Sequence, residues 1–180
     1  VFNPLNRKND DFQIGFAGSF YNERFPERKK QLLTLLYLIK IYGGDIYDRF
    51  SNFNDKKYLF PENFLPLIKS SVPYEQIPNL YKNYLYHINA SSLTNTSNFV
   101  PRRVYEICGS ASICITQNSL GIEKQFSDVA IIVNDLKDGI NKINALNENY
   151  IKRRKTQIHG WQRVNRHFTN EKRLSSIDFL

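Results

Sequence analysis

The feature that most restricts the fold is a set of short apolar runs, Phe12–Gly18, Ile113–Thr116 and above all Val129–Val133, each followed by a loop and a helical tract. A strand apolar along its whole length must be covered on both faces, as in a buried parallel sheet. Between these runs the apolar spacing becomes helical. Residues 22–28 lead into a helix ending near Tyr42, with Leu32, Leu33, Leu35, Leu36, Ile39 and Tyr42 as its apolar stripe. Pro26 suits its first turn and Gly43-Gly44 stops it. Asp45–Asp48 and Tyr84–Asn89 read as further strands, Tyr74–Asn83 as a short helix, and 49–71 as irregular with a short strand near Leu67–Lys69. After Val133, Asp135 or Asp138 can cap a helix carrying Ile140, Ile143 and Leu146. A long helical tract from about Glu148 carries Tyr150, Ile151, Ile158, Trp161 and Val164, with a break expected near Gly160. Strands alternating with helices predict an α/β fold, a mostly parallel sheet sandwiched by helices with a long helix at the C-terminal end.

At 180 residues the chain holds one domain, expected over 12–180, with 1–11 as a linker or frayed entry. A hydrophobic content of 41% and an aromatic content of 14% exclude a disordered chain. No apolar run approaches the roughly 20 residues that span a bilayer, and Val1–Arg7 is not a secretory signal. The expected location is cytoplasmic. The chain begins at Val1 and contains no methionine, so a piece of a longer protein is expected. Cys108 and Cys114 lack the partners of a zinc site and read as two buried, reduced thiols.

Twenty-five Lys and Arg against seventeen Asp and Glu leave a net charge of +8. That balance favours anionic partners: phosphates, nucleic acid or an anionic membrane surface. Much of the excess lies near the end, at Lys152, Arg153, Arg154, Lys155, Arg163, Arg166, Lys172 and Arg173. On a helix such a cluster is more often a solvated face than a binding site.

The richest stretch is Asn98–Thr116, a loop, a helix opened by Pro101 and a strand. Arg102, Arg103 and Glu106 fall within one helical turn. Free amides and the positive dipole end at a helix start hold a diphosphate, arginines add charge, and a carboxylate one turn later can accept from ribose hydroxyls. The same spacing also makes Arg102 and Glu106 an ordinary helical ion pair. Two more loops follow strands, where ligands of open α/β sheets bind. Gly18, Ser19 and Arg24 belong to the first, and Gly121 closes the loop after Thr116. G-x-G-x-x-G, the Walker pattern and G-x-S-x-G are all absent, which disfavours a dinucleotide oxidoreductase, a P-loop enzyme and an α/β-hydrolase. His87 reads as a half-buried strand residue. His159 and His167 share no metal-ligand spacing with each other or with the cysteines.

Taken in order, Phe16–Ser19, Pro101–Glu106, Gly121–Phe126 and Arg166–Arg173 resemble the C-terminal domain of GT-B glycosyltransferases, in the spore-maturation (CgeB-like) branch with a group 1 type C-terminal domain. The resemblance covers about residues 12–175. It implies a Rossmann-like half that binds a nucleotide-diphosphate sugar, a UDP-sugar for preference, across a cleft from an acceptor-binding N-terminal half absent from this chain. It implies no cofactor and no metal. Glu106 matches the ribose-holding glutamate, and Arg102 and Arg103 the phosphate-side turn. Asn98 stands where retaining relatives carry a second glutamate, and Ala111 where glycine is common. By the resemblance the partners are the sugar donor and the missing half, with a glycan acceptor or peripheral membrane contact, and nucleic acid is not among them. Two other readings remain open at the level of sequence: a basic module that binds nucleic acid or an anionic membrane through its tail, and a degenerate, non-catalytic domain of the same family.

Overall fold

The computed structural model describes residues 11–53 and 55–175. The expected entry segment, apart from Asp11, lies outside the described residues. Six parallel strands form one sheet: β1 (Ile14–Gly18), β2 (Gly44–Asp48), β3 (Ile68–Lys69), β4 (Tyr86–Asn89), β5 (Ile113–Gln117) and β6 (Ala130–Val133), ordered β3-β2-β1-β4-β5-β6. Seven α-helices accompany them among the described residues: α1 (Pro26–Tyr42), α2 (Ile77–Lys82), α3 (Arg102–Gly109), α4 (Leu120–Phe126), α5 (Leu136–Asn147), α6 (Tyr150–His167) and α7 (Asn170–Ser175). This is the α/β sandwich that the apolar runs predict. The described residues of 49–71 are irregular apart from a 3-10 turn at Glu62–Leu67 and the two-residue strand β3.

The two sheet faces have different jobs. Ile14, Phe16, Ile46, Tyr86, Ile88, Ile113 and Ile115 point to one face, where α1 and α5 bring Leu32, Leu35, Leu36, Leu38, Ile39, Ile143 and Leu146 into the larger core. The opposite face carries Cys114, covered by Tyr81, Val104, Ile107, Cys108, Ile122 and Phe126. On that face β1 offers only Gly15 and Ala17. A Cβ on Gly15 would lie 2.5 Å from the His87 ring, so the glycine leaves space for that imidazole. His87 is fully buried, against the half-buried expectation, with Nε2 3.2 Å from the Tyr81 carbonyl.

Local signals account for most boundaries. The Asp135 side chain caps α5 by accepting from Asp138 N at 2.8 Å, and Asn149 caps α6 by accepting from Lys152 N at 2.9 Å. The break expected at Gly160 does not occur: α6 runs unbroken to His167. A helical glycine costs about 1 kcal/mol relative to alanine. Here Gly160 is buried against α3, and an added Cβ would stand 3.5 Å from Cys108 Cβ, an ordinary van der Waals contact, so packing of α6 on α3 rather than the residue at 160 keeps the helix continuous. Both cysteines are free and buried, and burial pushes the Cys108 thiol up to about 12 and the Cys114 thiol well above its ordinary value.

Ala111, just past α3, sits at φ 55, in the left-handed region that penalises a Cβ. Its carbonyl accepts from Gln157 Nε2 at 3.0 Å, which ties the end of α3 to α6. Ala111→Gly is expected to raise stability by about 1 kcal/mol. The readout is a higher urea midpoint at unchanged m-value, and a lower midpoint would show that the alanine is not strained.

Candidate functional site

The strand order reverses between β1 and β4, so the connections leaving these strands diverge to opposite faces. A crevice opens at their carboxyl ends, the usual ligand site of an open α/β sheet. Here it is a cleft of about 650 Å³, floored by Ala17 and Gly18 of β1 and Asn89 of β4, with Tyr47 and Arg49 on the β2 side and α3 as its wall.

The wall begins at Pro101, which has no side chain able to cap α3. The first amides of α3 therefore stay available to an anion, and the dipole of the helix favours one there. Arg103 reaches across the end of β1 with its guanidinium 5.4 Å from the Phe16 ring centroid, and its charge acts on the nearby Tyr81 hydroxyl. Gly18 makes this path possible, since a Cβ there would lie 2.9 Å from Arg103 Nη2. Arg28 lies close by, buried, and donates to the Ser19 carbonyl at 3.1 Å. Burial and the nearby Arg103 charge hold the Arg28 guanidinium below its ordinary value. Among the described residues neither arginine has a carboxylate partner. Two like charges held together without an acid produce a positive potential at the carboxyl end of β1.

Glu106 is the single acid among the described lining residues and is only 7% exposed. Its Oε1 forms an ion pair with Arg102, 2.9 Å from Nε, and accepts from the Tyr74 hydroxyl at 3.1 Å, and Oε2 lies 3.5 Å from the Tyr81 hydroxyl. The helical ion pair expected from spacing thus exists, inside the cleft. Arg102 also stacks on the Tyr74 ring, 4.8 Å from its centroid. Burial first, and then the Glu106 charge, raise the Tyr74 phenol; burial dominates for Tyr81.

Of the residues singled out in the sequence, Gly18, Arg102, Arg103 and Glu106 line the cleft and the other four do not. Ser19 is buried beside it, its carbonyl taken by Arg28. Arg24 is exposed and stacks on Phe25, 5.1 Å from the ring centroid. Asn98 is exposed on the loop before α3. Gly121 is buried where the backbone at Phe99 crosses α4: an added Cβ would be 2.0 Å from the Phe99 carbonyl oxygen. Sequence reasoning missed Tyr74, Tyr81, Asn89, Tyr47 and Arg49. Asn89 carried a usable signal, a polar residue ending an apolar strand. It is buried, its Nδ2 donates to Thr116 Oγ1 at 3.1 Å, and its Oδ1 has no hydrogen-bond partner among the described residues.

Part of the cationic tail is engaged within the fold, while Lys152, Lys155, Arg166 and Lys172 are exposed. Arg153 is buried and donates to the Asn147 carbonyl at 2.8 Å, while Arg163 makes a two-pronged pair with Asp128, both contacts at 2.6 Å. No helix among the described residues is long and apolar enough to cross a membrane. No three His, Cys, Asp or Glu side chains among them are grouped as metal ligands would be.

Comparison with known proteins fits this architecture. A family model described as "Glycosyl transferase-like" matches residues 2–178. No curated protein matches in sequence. Among solved structures, the C-terminal domain of a glycosyl transferase group 1 family protein from Francisella tularensis is 14% identical with a TM-score of 0.61, covering 94% of this chain and 97% of that one. A T4 phage BGT mutant in complex with UDP-glucose is 13% identical with a TM-score of 0.61, covering 92% and 46%. A glycosyltransferase from Rickettsia africae is 15% identical with a TM-score of 0.62, covering 93% and 46%. The chain thus spans nearly all of an isolated C-terminal domain and under half of the two longer chains. With a six-stranded parallel sheet and this family match, the chain belongs to the glycosyl transferase-like family and has the fold of the C-terminal half of a GT-B enzyme.

Proposed function

We propose that this domain binds the ribose and diphosphate of a nucleotide-sugar donor, a UDP-sugar for preference, and presents the sugar to an acceptor held by a second domain. One observation carries the reading. At the switch point of the sheet, uncapped helix amides and the carboxylate-free Arg103 lie beside the buried acceptor Glu106. An anion and a hydroxylated ring fit that polarity. When the bond between the anomeric carbon and the phosphate oxygen breaks, charge grows on the departing diphosphate. Arg103 and the helix start are placed to stabilise it electrostatically. In this proposal the arginines and amides do that work without a metal, and deprotonation of the acceptor falls to the other domain. Placement in the narrower spore-maturation branch rests on the sequence resemblance alone.

Isothermal titration with UDP, GDP and ADP, each with and without EDTA, tests the reading. One of the three is expected to bind at micromolar to millimolar concentration, unaffected by EDTA. Glu106→Ala is expected to weaken it by about tenfold, the worth of one charge-assisted hydrogen bond. A folded protein that binds none of them at millimolar concentration would overturn the proposal.

A further inference from the structure

A carboxylate offers about four lone-pair sites, two on each oxygen. On Glu106 they are unequally spent. Oε1 already accepts from the Tyr74 hydroxyl at 3.1 Å and is ion-paired with Arg102, whose Nε stands 2.9 Å away, so two groups crowd it. Among the described residues Oε2 has only the Tyr81 hydroxyl at 3.5 Å, well beyond the usual O–H···O distance. The arrangement on Oε1 is braced, because Arg102 both pairs with the carboxylate and covers one face of the Tyr74 ring. The geometry points to a Glu106 that holds a single ribose hydroxyl, through Oε2, with Tyr74 as the residue that denies the carboxylate its second one. This inference rests on the nucleotide reading above.

The consequence is an asymmetry that a carboxylate open at both oxygens would not show. A ribose carries two neighbouring hydroxyls, and a carboxylate open at both oxygens would take both. With Oε1 occupied, one hydroxyl is bound strongly and the other contributes little, so the two are not equivalent in binding. Tyr74 suits a clean test, being 52% exposed. Tyr74→Phe keeps the ring and its stack with Arg102, frees one lone pair on Oε1 and leaves no buried group unpaired.

The experiment is isothermal titration of the wild-type chain and the Tyr74→Phe variant with whichever of UDP, GDP or ADP binds, and with its 2′-deoxy and 3′-deoxy analogues. For the wild type, one deoxy analogue is expected to bind within about twofold of the parent and the other about fivefold or more weaker, the worth of one hydrogen bond. For Tyr74→Phe, both analogues are expected to fall at least about threefold below the parent. Equal losses for the two analogues in the wild type would overturn the inference, as would no loss for either, or an asymmetry unchanged in Tyr74→Phe. Those outcomes leave the nucleotide reading standing. Absence of binding by all three parent nucleotides overturns both.

Discussion

Arg103→Ala is expected to weaken nucleoside diphosphate binding about 10- to 100-fold, the range of about 1.5–3 kcal/mol for a hydrogen bond to a charged group. The size follows from where the guanidinium sits. It lies across the end of β1, over Phe16, beside helix amides that no side chain caps, and without a carboxylate partner among the described residues. Arg102 is a weaker candidate for the phosphates, because its Nε is already bound to Glu106. Stability provides a control. Removing Arg103 relieves its repulsion of Arg28 and breaks no ion pair among the described residues, while it also loses the contacts with the Tyr81 hydroxyl and the Phe16 ring, so the melting temperature is expected to change little. Glu106→Ala removes the partner of Tyr74 and Arg102 and so lowers both affinity and stability. Arg103→Lys keeps the charge but loses the planar fork, so an intermediate affinity is expected. Unchanged affinity in a folded Arg103→Ala variant would remove this arginine from the site.

Gly121→Ala is expected to destabilise the domain by about 2–4 kcal/mol, in the range of forced overpacking. Gly121 is the second residue of α4, and the preceding Ser119 caps that helix by accepting from Ile122 N at 3.4 Å. The loop before α3 lies directly on it. Leu120 N donates to the Thr94 carbonyl at 3.0 Å, and a Cβ at 121 would meet the Phe99 oxygen at 2.0 Å and the Thr96 oxygen at 3.3 Å. Those are backbone atoms, with no flexible side chain to swing aside. The alanine therefore pushes away the segment that delivers Pro101 to the start of α3, and weaker nucleotide binding should accompany the lost stability. Urea denaturation gives the first quantity and titration the second. An unchanged midpoint would show that the loop does not rest on α4.

The sequence alone determined the layers and much of one wall of the site. Apolar runs such as Val129–Val133 predict buried parallel strands because an uninterrupted apolar strand is stable only when covered on both faces. Helix limits followed from Pro26, Gly43 and Asp135, whose backbone and capping chemistry act over a few residues. Arg102, Arg103 and Glu106 could be placed together because they lie within one turn. Gly160 was misleading: helix propensity is a local cost, and burial of one face of α6 against the sheet and α3 outweighs it.

Tertiary structure alone decided which residues from distant parts of the chain meet at that wall. Parallel pairing of β1 with both β2 and β4 brings Gly18, Tyr47 and Asn89 to one crevice, and the connection before β4 places Tyr74 and Tyr81 on Glu106. Strand order is set by long-range packing, which leaves no periodicity or spacing in the chain to read. The same packing turned Ser19, Arg24, Asn98 and Gly121 away from the cleft lining, and set Tyr74 and Arg102 against one oxygen of Glu106 before any ligand arrives.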